Sequence, residues 1–104
     1  MGSQRAEEKP ARQFFVYIIT NPGQTVLYTG MTNNLKRRLK EHYEGRGNPI
    51  HFSSKCYCYK LLYYEIYDTP MRAIKGEKER KNLLREKKIE LIKTKNPGMK
   101  VLVV

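Results

Sequence analysis

The fold class this sequence predicts is a small mixed α/β domain of the α+β kind, and two observations predict it. Runs rich in β-branched and aromatic residues read as strands, and the segments between and after them repeat apolar residues at helical spacing among charges. At 104 residues, 39% of them hydrophobic, the chain can build one compact core and is too short for two.

Met1 to Pro10 carries hardly an apolar residue and is expected to stay mobile, so the chain divides into a flexible segment 1–12, a domain 13–98 and a tail 99–104. Phe14 to Thr20 reads as the first strand. The turn signal Asn21-Pro22-Gly23-Gln24 ends it, and Thr25 to Gly30 follows as the second strand of an antiparallel hairpin. Thr32, Asn33 or Asn34 can cap a helix that runs to about Glu44, with Leu35 and Leu39 one turn apart. Gly45 to Pro49 breaks that helix, and Tyr57 to Tyr67 resumes a strand composition. Asp68 or Thr69 then caps a second helix from Met71 to about Asn82, and Pro70 suits its first turn because the missing N–H would have no partner there. Leu83-Leu84 with Ile89, Leu91 and Ile92 predicts a further helix ending near Asn96-Pro97-Gly98.

Lys and Arg number 21 against 10 Asp and Glu, a formal charge of +11. Such a field attracts polyanions over a Debye length of ~8–10 Å, which favours nucleic acid as a partner but would also suit an anionic membrane surface or an acidic protein. No apolar run approaches the ~20 residues of a membrane span, and the N-terminus lacks the apolar middle of a secretory signal. A soluble, cytoplasmic protein is expected. Cys56 and Cys58 would share one face of a strand, so a disulfide is not implied, and zinc would need ligands beyond His42 and His51. Reduced thiols are the expectation.

Several residues are candidates for chemistry. Tyr17 and Tyr28 fall on neighbouring strands of the hairpin, while Arg38 and His42 are four residues apart on one helical face. Glu77 lies on the next helix, where packing through Ile74 would direct it to the same end of the sheet. Each also has a plain structural reading: the tyrosines as cross-strand packing, Arg38 as a solvated cation, His42 near a helix C-terminus, and Glu77 paired with Lys81 at i,i+4. Taken together, Phe15-Val16-Tyr17, ten intervening residues, Tyr28-Thr29-Gly30, Arg38 eight positions after the glycine and His42 four later resemble the GIY-YIG nuclease pattern. Ala73 to Lys78 resembles that family's glutamate-bearing helix, so the likeness covers Phe14 to Asn96 and is greatest to the short single-domain bacterial members. Phe15, Val16 and Thr29 depart from the family's own letters.

The resemblance implies a three-stranded antiparallel sheet flanked by helices, and a metal-dependent endonuclease site. Phosphodiester hydrolysis needs an aligned water, neutralised charge on phosphorus and a stabilised 3′ leaving oxygen. Arg38 suits the second task as a bidentate guanidinium. Glu77 suits one Mg²⁺ or Mn²⁺, since such an ion keeps several waters and is completed by the phosphate. By the resemblance Tyr17 is the base and Tyr28 its hydrogen-bonding partner, His42 orients a hydroxyl or the water, and Asn96 either supports the far side of the site or opens a turn. Gly30 either lets a phosphate of the nucleic acid or a helix approach the backbone closely or ends its strand. Lys36, Arg37, Lys40 and Arg46 extend a basic rim, and Lys78 to Lys88 a second basic surface. The expected substrate is DNA rather than RNA, in repair or mobile-element processing. The alternatives are a non-catalytic nucleic-acid-binding module of the same fold and a basic protein that docks on an acidic partner. The remaining tyrosines include possible base-stacking side chains, none of which the sequence singles out.

Overall fold

The computed structural model describes residues 13–47 and 57–104. The segment 1–12, expected to be mobile, lies outside them, as do His51 and Cys56. Strands β1 (Phe14–Thr20), β2 (Leu27–Thr32) and β3 (Lys60–Tyr67) form one antiparallel sheet in the order β2-β1-β3. Three helices accompany it: α1 (Leu35–Glu44), α2 (Pro70–Lys81) and α3 (Arg85–Lys95). This is the α+β architecture that the resemblance implies.

The hairpin differs in detail from the expected one. Asn21 Oδ1 accepts from the backbone N–H groups of Thr25 at 2.8 Å and Val26 at 3.0 Å, so both residues belong to the turn. Strand β2 therefore starts at Leu27 rather than Thr25 and continues past Gly30 to Thr32. Asn34 then caps α1, its side chain accepting from Arg37 N at 3.0 Å. Thr69 caps α2 in the same way, with Pro70 in the first turn.

Alternation along the strands creates two cores. Tyr17 and Ile19 pack with Leu35, Leu39, Leu61 and Tyr64 beneath α1. Ile18 faces the other way and packs with Leu62, Tyr63 and Ile92 beneath α3. Helix α2 also lies on this second face, because Arg80 binds Glu65 and Gly76 sits against Tyr67. The expected contact through Ile74 is not made: Ile74 is exposed, while Ala73 and Gly76 are buried. Small residues win because they allow the closest approach; a Cβ on Gly76 would lie 2.8 Å from Tyr67 Cζ. After α3 the chain returns to the sheet, and Leu102 N donates to Leu61 O at 2.8 Å. No helix among the described residues is long and apolar enough to cross a membrane.

The expectation of two reduced thiols does not hold for Cys58, which is fully buried and disulfide-bonded. That expectation rested on a strand beginning at Tyr57, whereas β3 begins at Lys60 and Tyr57 takes a left-handed φ of 59°.

Thr29 occupies a position where the family pattern has isoleucine, and its buried Oγ1 has no hydrogen-bond partner. A buried unsatisfied hydroxyl costs ~1–3 kcal/mol. Thr29→Val should accordingly raise the unfolding free energy by about 1 kcal/mol, read as a higher urea midpoint. A lower midpoint would mean that the hydroxyl is satisfied.

Candidate active site

Tyr17 is the hub of the site. It pairs with Gly30 across the β1–β2 ladder, and its ring leans over that glycine. A Cβ at position 30 would stand 2.5 Å from Tyr17 Cζ, so only glycine lets the phenol cross the edge strand. The close approach at Gly30 is thus made by the Tyr17 side chain rather than by a helix, and the strand does not end there.

Beneath α1, Tyr17 Oη lies 2.8 Å from His42 Nε2, and the Arg38 charge acts on the same phenol. Spacing explains the convergence, since Leu35, Arg38 and His42 occupy one helical stripe whose apolar member seats α1 on the sheet. The His42 ring meets both tyrosines edge-on, with centroids 5.7 Å from each.

Burial sets the protonation states. Tyr17, only 1% exposed, has its pKa pushed up to about 12 by burial, against the pull of the Arg38 charge. His42, 2% exposed, is pushed down to about 4 by burial and then by Arg38. Near neutral pH the phenol keeps its proton and the imidazole is neutral. Tyr17 Oη and His42 Nε2 thus share one proton in a bond between two neutral groups, with the Arg38 cation acting on the phenol. Arg38 remains a cation, because Tyr17 and Glu41 outweigh the desolvation that would lower its pKa; its Nη1 lies 3.0 Å from Glu41 Oε1, and its side chain is 37% exposed.

His42 also makes stability depend on pH. Its folded pKa lies below the ordinary 6.5, so between pH 6.5 and about 4 the unfolded chain binds a proton that the folded chain refuses. Stability should fall as pH falls through that window, by roughly 2–3 kcal/mol for a shift of this size. Urea midpoints measured from pH 7 to 4 should show the loss, and His42→Gln should remove most of it. Equal slopes in the two proteins would contradict a buried neutral imidazole.

Glu77 stands on α2, on the sheet face opposite α1, yet its charge is close enough to raise the Tyr17 pKa. Its side chain is 23% exposed and pairs with Lys81 at 3.5 Å. Tyr28 also acts on Tyr17 electrostatically and is half-buried, so solvent reaches it far better than Tyr17.

Residues 13–90 match the family model described as the GIY-YIG catalytic domain. The chain belongs to the GIY-YIG family. It is similar to UPF0213 proteins of Staphylococcus aureus, among them that of strain Mu3 and SA0446 of strain N315. Each is 35% identical over 86 residues, covering 76% of this chain and 93% of the relative. The solution NMR structure of the UPF0213 protein BH0048 from Bacillus halodurans superposes with a TM-score of 0.53 at 28% identity, over 83% of this chain and 88% of that one. The fold is thus that of a small GIY-YIG protein, and the family's domain is of nuclease type.

Within this GIY-YIG domain, Tyr17, Tyr28, Arg38 and His42 meet beneath α1, whereas Glu77 lies across the sheet and acts on Tyr17 through its charge. The other nominated residues lie around this group or elsewhere. Lys36, Arg37 and Lys40 are exposed on α1, with Arg37 and Lys40 3.8 Å and 3.9 Å from Glu41 and Glu44. Arg46 lies over the Tyr43 ring. Asn96 is committed to the fold: its side chain bonds Leu62 O, Lys100 O and Lys100 N. Two partners escaped the sequence reading. Glu41 was accessible to it, three residues after Arg38. Glu65 shares a face of β3 with Tyr63 and Tyr67 at the strand period of two, but its bond to Arg80, which fixes α2 to β3, joins residues with no common period.

Proposed function

We propose that this chain is a metal-dependent nuclease that hydrolyses a phosphodiester bond at the group around Tyr17, with DNA as its expected substrate. The observation that carries the reading is the meeting of Tyr17 and His42 at 2.8 Å under the charge of Arg38, with the charge of Glu77 reaching the same phenol. A module that only gripped phosphate would gain nothing from a carboxylate there.

The donor set fits Mg²⁺ or Mn²⁺. Glu77 is a hard oxygen ligand, and no cluster of three or more His, Cys, Asp or Glu exists among the described residues to enclose an ion completely. When bound, the ion would neutralise charge on the phosphate and on the departing 3′ oxygen. Arg38 keeps guanidinium N–H groups beyond those given to Glu41, and directs them at the non-bridging oxygens.

The two tyrosines take roles opposite to those expected from the resemblance. Tyr17 is closed off and firmly protonated, so it holds His42 in place. Tyr28, in contact with solvent, meets the water. As the general base it takes the water's proton, while the water oxygen bonds to phosphorus and the bond to the 3′ oxygen breaks.

Branched, single-stranded and duplex substrates incubated with Mg²⁺, Mn²⁺ or chelator test the proposal. Product that disappears with chelator is the expected result. Salt-dependent binding with no product on any substrate would overturn it in favour of a binding module.

A further inference from the structure

The chain has eight tyrosines, and their surroundings separate them. Tyr17 and Tyr28 belong to the site, Tyr64 packs in the first core, and Tyr63 and Tyr67 both donate to Glu65. Three remain near the C-terminal end of α1. The ring of Tyr57 lies against Gly47. Tyr43 and Tyr59 instead form an edge-to-face pair, with centroids 5.0 Å apart and planes at 80°.

That pair is interleaved with cations. The Arg46 guanidinium carbon stands 3.8 Å from the Tyr43 ring centroid, and Lys60 Nζ 5.3 Å from that of Tyr59. Arg46 is fixed there because Nη1 donates to Tyr43 O at 2.6 Å, so the guanidinium and the ring form a prearranged stack. Tyr43 is 47% exposed, an unusual position for an aromatic ring that packing alone would bury. It follows His42 directly in the chain, one residue along α1 from the proposed catalytic group.

We propose that Tyr43 and Arg46, backed by Tyr59 and Lys60, form a stacking platform for unpaired bases of the substrate strand. A planar apolar surface flanked by fixed positive charge takes a nucleobase face and its phosphate together, and does so without regard to base identity. A base within a duplex has both faces covered and cannot use it. The proposal rests on the nucleic-acid reading above and adds the substrate class: strands with unpaired bases next to the cleavage point.

Binding measured in chelator keeps this test independent of cleavage. Fluorescence anisotropy would compare a labelled mixed-sequence single strand, as DNA and as RNA, with a strand of equal length built from abasic sites and with a duplex. The wild-type protein should bind the base-bearing strands roughly 5- to 100-fold more tightly than the abasic one, the range that a stacked base supplies. Tyr43→Ala should erase most of that preference and leave the salt slope unchanged, whereas Tyr43→Phe should keep it. Arg46→Ala should lower the salt slope by about one unit. Equal wild-type affinity for base-bearing and abasic strands would overturn the proposal, as would a preference that survives Tyr43→Ala. If Tyr43→Ala proves unfolded by circular dichroism, photocrosslinking of a bromouridine-bearing strand to the wild-type chain decides: the adduct should map to Tyr43, and an adduct confined to other residues overturns the platform. Base-dependent binding through Tyr43 without cleavage would leave the platform standing and remove only the nuclease reading.

Discussion

Glu77→Gln should abolish cleavage while leaving nucleic-acid binding intact or tighter. The charge of this carboxylate reaches Tyr17, in a chain of net charge +11. Removing it deletes a repulsion towards phosphate and at the same time removes the proposed metal ligand. Loss of metal-derived stabilisation is worth several kcal/mol of barrier, so turnover should drop by on the order of 10³ or more. The fold should hardly change, because the pair with Lys81 is an i,i+4 surface contact worth ~0.2–0.5 kcal/mol. Single-turnover cleavage and anisotropy on the same preparation would separate the two effects. Parallel loss of binding and cleavage would mean that Glu77 supports the fold or a base contact.

Much of the architecture is legible in the sequence, for local reasons. The cap at Thr69 followed by Pro70 and the strand character of Phe14 to Thr20 are properties of short segments, and the structure keeps them. The strand ends were hidden where side chains compete with the ladder: Asn21 takes the N–H groups of Thr25 and Val26, a choice that no residue count reveals. The packing face of α2 was hidden for a different reason. Hydrophobicity points to Ile74, but Tyr67 needs space that only Gly76 provides.

The site shows the same division. Helical spacing is enough to place Arg38 and His42 together, and strand pairing brings Tyr17 and Tyr28 close to them. The division of labour between the tyrosines was not legible, because it depends on what covers each phenol. Gly30 lets Tyr17 lean across the edge strand towards His42, where burial shuts it from water and keeps it protonated against the pull of Arg38. The position of Glu77 likewise follows from the clamp of Arg80 on Glu65, which holds α2 in register three residues further along.

The second large effect is expected at Tyr28, whose hydroxyl is assigned to the attacking water. Tyr28→Phe keeps the ring that meets His42 edge-on, so the fold and the binding surface should persist. Deleting a general base costs about 10²–10⁴ in rate. Tyr17→Phe should lower turnover too, but by a route visible in stability: it leaves buried His42 Nε2 without the phenol's hydroxyl, at a cost of ~1–3 kcal/mol. The most direct test of the catalytic centre is therefore the single-turnover cleavage rate of Tyr28→Phe, at saturating protein and with Mg²⁺, beside its urea midpoint. A rate lowered at least about 100-fold with an unchanged midpoint is the predicted result; cleavage at the wild-type rate would show that the chemistry takes place without this hydroxyl and contradict the assignment.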